Sequence, residues 1–160
     1  MTTRHRPRPP VPEGFVGAAE APPTSQRSAL MGRVRGKNTS PEIAVRRAAH
    51  ALGLRFRLHR RDLPGRPDLV FPKHRLAIFV HGCFWHRHEG CKRATIPKTR
   101  QDFWLGKFAD NEARDQRVTA LLRDAGWRVE IVWECETKDQ EALLRRLRDL
   151  VRSGGRSNAI

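Results

Sequence analysis

The chain has 160 residues, 38% of them hydrophobic, with a formal net charge of +15 and a pI near 11.4. That suits one domain with a modest core, and no apolar run approaches the roughly 20 residues a membrane-spanning helix needs. Lysine supplies only six of the 32 basic residues; a genomic bias toward arginine accounts for part of the excess, but the net charge still points to a polyanion, nucleic acid ahead of an anionic membrane. Three cysteines (Cys83, Cys91, Cys135) argue against a closed disulfide framework, and no apolar leader follows Met1. A reducing, cytoplasmic setting is expected.

Residues 1–26 carry six of the eleven prolines among scattered Arg, Gly and Ala, a composition that predicts a disordered basic tail. The folded domain is expected over 27–152, with 153–160 a flexible C-terminal tail. After the basic stretch RSALMGRVRGKNT, the segment SPEIAVRRAAHALG reads as a helix, with Ser40 as N-cap, Pro41 at the first helical position, Glu42 near the positive helix end and Gly53 past the stop. LRFRLHR alternates Leu54, Phe56 and Leu58 with basic residues, as a half-exposed strand does. DLVF (68–71) and RLAIFV (75–80) flank a Pro72-Lys73-His74 turn, the second apolar throughout as in a central strand. Residues 100–125 read as a helix, with a break near Gly106. WRVEIVWEC is a further strand, and a last helix runs from Lys138 to about Arg152 with Thr137 and Gln140 as a capping box. This order implies an α/β sandwich with a mixed sheet; Trp127 and Trp133 are the expected core tryptophans.

HGCFWHRHEGC (81–91) gathers two cysteines and three histidines. Cys83 and Cys91, with one histidine between them and Cys135 brought in from the last strand, suit a closed tetrahedral Cys3His zinc site. Three buried free cysteines are the plainer alternative. His86 and His88 compete for the fourth ligand position, leaving one histidine for other work. A fixed loop would project Phe84 and Trp85 in a defined direction.

Pro67-Asp68 opens the strand 68–71. A carboxylate there is either a turn residue or, beside the end of strand 75–80, a ligand for magnesium, which takes hard oxygen donors and keeps several waters. His81 and His86 could flank that place as general base or phosphate-polarising groups, and Glu42 could reach it from the first helix or simply complement the helix dipole.

These segments, LPGRPDLVF (63–71), FVHGCFWHRHEGC (79–91), TRQDFWLGKFADNEARD (99–115) and GWRVEIVWEC (126–135), resemble the very-short-patch-repair (Vsr) DNA mismatch endonucleases over about Arg27 to Arg152. The resemblance implies a restriction-endonuclease-like fold and an enzyme that cuts one strand 5′ to the thymine of a T:G mismatch left by deamination of 5-methylcytosine. It implies catalytic Mg2+ held by Asp68 and the Val80 carbonyl, with Glu42 and His81 acting on water or phosphate there and His86 as general base. Cys83, His88, Cys91 and Cys135 match the structural zinc ligands. Phe84, Trp85 and Trp104 match aromatics that wedge into the DNA stack beside the mismatch, Met31 enters the opposite groove, and Lys107 matches a base-contacting lysine.

Residue 80 is Val where another member carries Thr, a change that leaves the main-chain carbonyl intact. Phe79-Val80-His81 occupies the place of the usual acidic-x-Lys half of the nuclease motif. Also implied are double-stranded DNA with a T:G mismatch as partner, a functional link to a cytosine-5 methyltransferase and mismatch-repair proteins, a monomer, and a bacterial cytoplasmic location at the nucleoid. Two other readings compete: a zinc-stabilised DNA-binding module without catalysis, and a restriction endonuclease cutting both strands of matched DNA.

Overall fold

Two strands rich in apolar residues run side by side through the middle of the domain and fix everything around them. They belong to a computed structural model that describes residues 37–153; Met31 and both expected tails, apart from Ser153, lie outside the described residues. The described elements are α1 (Ser40–Ala51), β1 (Arg57–Leu58), β2 (Leu69–Phe71), β3 (Leu76–His81), α2 (Gln101–Asp124), β4 (Arg128–Trp133) and α3 (Gln140–Ser153), with 3-10 turns at Pro72–His74 and Glu134–Lys138. The sheet order is β1-β2-β3-β4. β1 and β2 pair antiparallel, as do β2 and β3, whereas β3 and β4 pair parallel over six residues, ending at His81 opposite Trp133.

Alternation along the strands divides the core into two layers. Leu69, Phe71, Leu76, Ile78 and Val132 face one way, against Val45, Ala48 and Ala49 of α1 and Leu143 and Leu147 of α3. Val70, Ala77 and Val129 face the other way, with Trp127, against Val118 and Leu122 of α2. A mixed sheet thus lies between helices on both faces, the α/β architecture expected from the order of elements. Gly65, in the loop before β2, lies under α2 with φ +68°; a Cβ there would sit 2.3 Å from Val118 Cγ1.

Several local expectations need correction. The α1 cap is Thr39 rather than Ser40: its hydroxyl accepts from the Glu42 amide at 3.5 Å, and the Glu42 carboxylate accepts back from the Thr39 amide at 3.4 Å, a capping box one residue earlier. The strand read over 54–60 shrinks to two exposed residues because it pairs only with the short β2. α2 runs unbroken through Gly106, since a lone helical glycine costs only about 1 kcal/mol. α3 starts at Gln140 behind Asp139, whose carboxylate accepts from the Ala142 amide at 2.9 Å, while the Thr137 hydroxyl donates to the Glu134 carbonyl. Trp127 is buried, but Trp133 is only partly so. It closes the end of the sheet instead.

Candidate active site

Three groups of side chains meet where β2 begins and β3 and β4 end. The first lies in the loop after β3, which is folded back by successive turns: His86 N–H to Gly82 O, His88 N–H to Cys83 O, Cys91 N–H to His88 O and Ala94 N–H to Cys91 O. These bring together Cys83, His88 and Cys91, and the parallel pairing of β3 with β4 delivers Cys135; the four ligand atoms lie within 4.8 Å of one another. His88 Nδ1 is 3.7 Å from Cys83 Sγ and 3.3 Å from Cys135 Sγ. A tetrahedral zinc ion with ordinary Zn–S and Zn–N bonds requires an S–N edge of about 3.5 Å, so this donor set fits one. Burial pushes the Cys83 thiol up to about 12, while amide donation from Arg93 draws Cys91 down. Of the two competing histidines, His88 is the one in this cluster.

His86 turns the other way. Its Nδ1 hydrogen-bonds the Asp115 carboxylate from α2, and its ring stacks on His81 with centroids 3.7 Å apart and planes 13° from parallel. His81 Nδ1 lies 3.9 Å from the same carboxylate. The ligand atoms of His81, His86 and Asp115 lie within 4.8 Å of one another, but imidazole lone pairs lie in the ring plane, so the two parallel rings do not aim theirs at one ion. Burial, with the nearby His86 charge, holds His81 down to about 4, only partly offset by Asp115. Burial pushes the Asp115 carboxyl up, but its hydrogen bond to His86 and the positive charges around it prevail and keep it below the usual range. A neutral His81 and an ionised Asp115 therefore flank His86. A cavity of about 400 Å³ opens beside them between α2 and the end of β4, lined by Glu112, Gln116, Arg123 and Trp133 among others.

The third group is Asp68 at the head of β2, with Glu42 and His59, ligand atoms again within 4.8 Å of one another. Asp68 Oδ2 accepts the Val80 amide of β3 at 2.8 Å, which ties the carboxylate to the strand carrying His81. Burial raises its carboxyl to about 6, with the Glu42 charge adding to the shift and the Val80 amide and the charges of Arg46 and His86 opposing it. A half-buried acid next to a second carboxylate is ionised at neutral pH at a cost that a bound cation removes. Asp68, beside the second carboxylate of Glu42, thus fits a hard cation. Glu42, only 3% exposed, is engaged already: it accepts from the Asn38 amide at 3.0 Å and from Arg46 at 2.9 Å as well as from Thr39. It borders the group chiefly as a charge. Burial pulls His59 down, partly offset by Glu42.

Phe84, Trp85 and Trp104 form one aromatic wall. Phe84 meets Trp85 at 5.1 Å, Trp104 at 5.4 Å and the buried Phe108 at 5.3 Å, each near edge-on. The buried Asn111 amide donates to the Trp85 carbonyl at 3.0 Å and pins the loop to α2. Phe84, Trp85 and Trp104 are partly exposed and Phe103 is 52% exposed. Lys107 is exposed one turn along α2 from Trp104 and so borders this wall.

Asp115, Asn111 and His59 were not anticipated from the sequence. The first two carried a signal: Phe108, Asn111, Asp115, Val118 and Leu122 follow helical spacing along one buried to partly buried stripe of α2, and two polar residues in an apolar stripe need partners. His59 carried none.

A mixed sheet between helices, with carboxylates and histidines gathered at one end of its central strands, defines an α/β domain with a polar site at that end. Residues 22–93 match the family DNA mismatch endonuclease Vsr. The chain is 56% identical over 126 residues to the type II nicking enzyme V.XorIIP of Xanthomonas oryzae pv. oryzae, spanning 79% of this chain and 92% of that protein. It is 41% identical over 139 residues to the DNA mismatch endonuclease Vsr of Escherichia coli, spanning 84% and 88%, and 40% identical over 129 residues to the type II nicking enzyme V.NmeAIP of Neisseria meningitidis, spanning 81% and 91%. The chain belongs to the Vsr family of DNA mismatch endonucleases.

Proposed function

We propose that this chain nicks one DNA strand 5′ to the thymine of a T:G mismatch, with Mg2+ as catalytic cofactor and Zn2+ as structural metal. The observation that carries this reading is the alignment of Asp68, tied to Val80, with the His86–Asp115 pair at one end of the sheet in a family of mismatch endonucleases. When bound by Asp68 and the Val80 carbonyl, Mg2+ supplies Lewis-acid polarisation of the scissile phosphate and neutralises developing charge.

The chain's own residues do the rest. His86 takes the proton of the attacking water at the nitrogen turned away from Asp115, while Asp115 holds the imidazole's other N–H and stabilises the cation that forms. His81, neutral and stacked on His86, fixes the ring plane and offers a donor to phosphate. Glu42, its oxygens taken by Asn38, Thr39 and Arg46, contributes its negative charge beside Asp68. Cys83, His88, Cys91 and Cys135 hold zinc, which sets the loop that carries Phe84 and Trp85.

Phe84, Trp85 and Trp104 enter the base stack beside the mismatch, with Met31 reaching from the opposite groove, Lys107 contacting a base edge, and arginines including Arg55 and Arg57 meeting phosphates. Unstacking costs a few kcal/mol and costs least where pairing is already defective, so preference for a mismatch begins with the wedge. T:G pairs arise where 5-methylcytosine deaminates, which links the activity to a cytosine-5 methyltransferase and to mismatch repair.

The deciding experiment incubates the purified chain with matched and T:G duplexes, with Mg2+ or with EDTA. One nick 5′ to the thymine, dependent on Mg2+ and on the mismatch, is expected. Binding without cleavage would mean a DNA-binding module, and double-strand breaks in matched DNA a restriction endonuclease.

A further inference from the structure

We infer that His59 is a positioning residue for the Asp68 carboxylate, with its tautomer set by Arg46. Arg46 Nη2 lies 3.1 Å from His59 Nε2. A guanidinium only donates, so Nε2 is the acceptor and the proton of the neutral ring sits on Nδ1. That Nδ1–H faces Asp68 Oδ1 at 3.7 Å, while Asp68 Oδ2 is taken by the Val80 amide at 2.8 Å. One carboxylate is thereby addressed from both sides, by a main-chain amide of β3 and by an imidazole from the end of β1. At 3.7 Å the ring N–H acts by charge–dipole attraction and by filling the space beside Oδ1, leaving that oxygen's lone pairs free for a cation.

Arg46 also reaches Glu42 Oε2 at 2.9 Å and Asn38 Oδ1 at 2.7 Å. A single planar fork thus holds Glu42 and His59 in fixed relation, which a lysine's point charge would not reproduce. His59 further adopts a left-handed backbone, φ +44°, a conformation that costs a non-glycine residue about 1 kcal/mol or more and persists where the surroundings impose it. The same geometry excludes His59 as a metal ligand in its own right: its one lone pair is directed at Arg46.

The inference rests on reading Asp68 as the metal-binding carboxylate, and its test separates the two. Long-range 1H–15N correlation spectra of the zinc-loaded, Mg2+-free full chain report the His59 tautomer directly. Nδ1–H is expected in the wild type, shifting toward Nε2–H in Arg46→Ala; Nε2–H in the wild type overturns the inference without touching the assignment of Asp68. Mn2+ affinity is then measured by electron paramagnetic resonance without DNA. His59→Leu is expected to weaken it about tenfold, at the low end for residues supporting a metal ligand. His59→Asn recovers most of the loss, because its amide N–H sits near the Nδ1 position and asparagine tolerates a left-handed backbone. Wild-type affinity in His59→Leu overturns the inference, whereas absence of Mn2+ binding in the wild type sinks the metal reading of Asp68 and the inference with it.

Discussion

Trp133 lies flat against His88, with ring centroids 4.3 Å apart and planes 6° from parallel. Its edge meets His81 at 5.6 Å, so one indole separates the cysteine cluster from the histidine pair. Removing zinc frees the His88 ring and should therefore change the surroundings of Trp133. Cys135→Ser is expected to drop zinc from one per chain to near zero and to cost a few kcal/mol, about 10 °C in melting temperature. Metal content by mass spectrometry, melting and tryptophan fluorescence check this together; unchanged zinc in the variant would remove the Cys3His assignment.

His86→Ala should lower kcat by about 10²–10⁴, the range of general-base catalysis, with duplex binding little changed. Asp115→Asn keeps the base but removes the charge that favours its protonated form, so its loss is smaller than that of His86→Ala. Single-turnover nicking on a T:G duplex, with binding measured separately in EDTA, distinguishes the two. An Asp115→Asn enzyme as fast as wild type would mean that the contact with His86 is structural only.

Asp68, raised to about 6 by burial, keeps its proton to a higher pH in the folded, Mg2+-free chain than in the unfolded one. The unfolded chain releases that proton near pH 4. Between roughly pH 4 and 6 the native state therefore binds more protons, and stability falls as pH rises through this window. The loss is on the order of 2–3 kcal/mol, complete above about pH 6. Asp68→Asn should abolish this contribution and make the metal-free chain more stable at pH 7 while eliminating nicking. Denaturant unfolding of both proteins in EDTA at pH 4.5 and pH 7 measures it; a variant less stable than wild type at pH 7 contradicts the assignment.

Gly65→Ala should destabilise the fold by about 2–4 kcal/mol, combining a left-handed backbone with overpacking against Val118. The clash falls between α2 and the loop leading to Asp68, so nicking should suffer even where the variant remains folded. Chemical denaturation gives the first quantity and kcat at low temperature the second; a neutral substitution would mean that α2 yields at Val118.

Trp85→Ala should erode the preference for T:G over matched duplex while leaving zinc content at one per chain, since the indole lies in the aromatic wall outside the metal cluster. Relative kcat/KM on the two duplexes is the measurement. A variant with full discrimination would transfer the wedge role to Phe84 and Trp104.

The fold was largely legible because its signals are local: the apolar runs of β2 and β3, the turn at Pro72, the glycines at 53 and 126. Placement was harder where it depends on pairing. Residues 54–60 alternate as a strand should, yet form only two ladder residues because their partner is three residues long. Of the site, Asp68, His81, His86 and the four cluster residues stood out by type and spacing, and the structure brings them to one end of the sheet. Asp115 required knowing which face of α2 is buried. His59 is invisible in sequence, since its neighbours Arg46 and Asp68 come from different elements and its backbone conformation follows from the fold.

The parallel ladder ends with His81 opposite Trp133, and Cys83 and Cys135 each sit two residues past that pair. A slip of one residue between β3 and β4 would carry Cys135 about 3.3 Å along its neighbour and break the four-donor set. A metal ion bound there would accordingly recognise only chains whose central strands are correctly aligned, acting as a latch that closes after the sheet has assembled and discriminates against misregistered folding products.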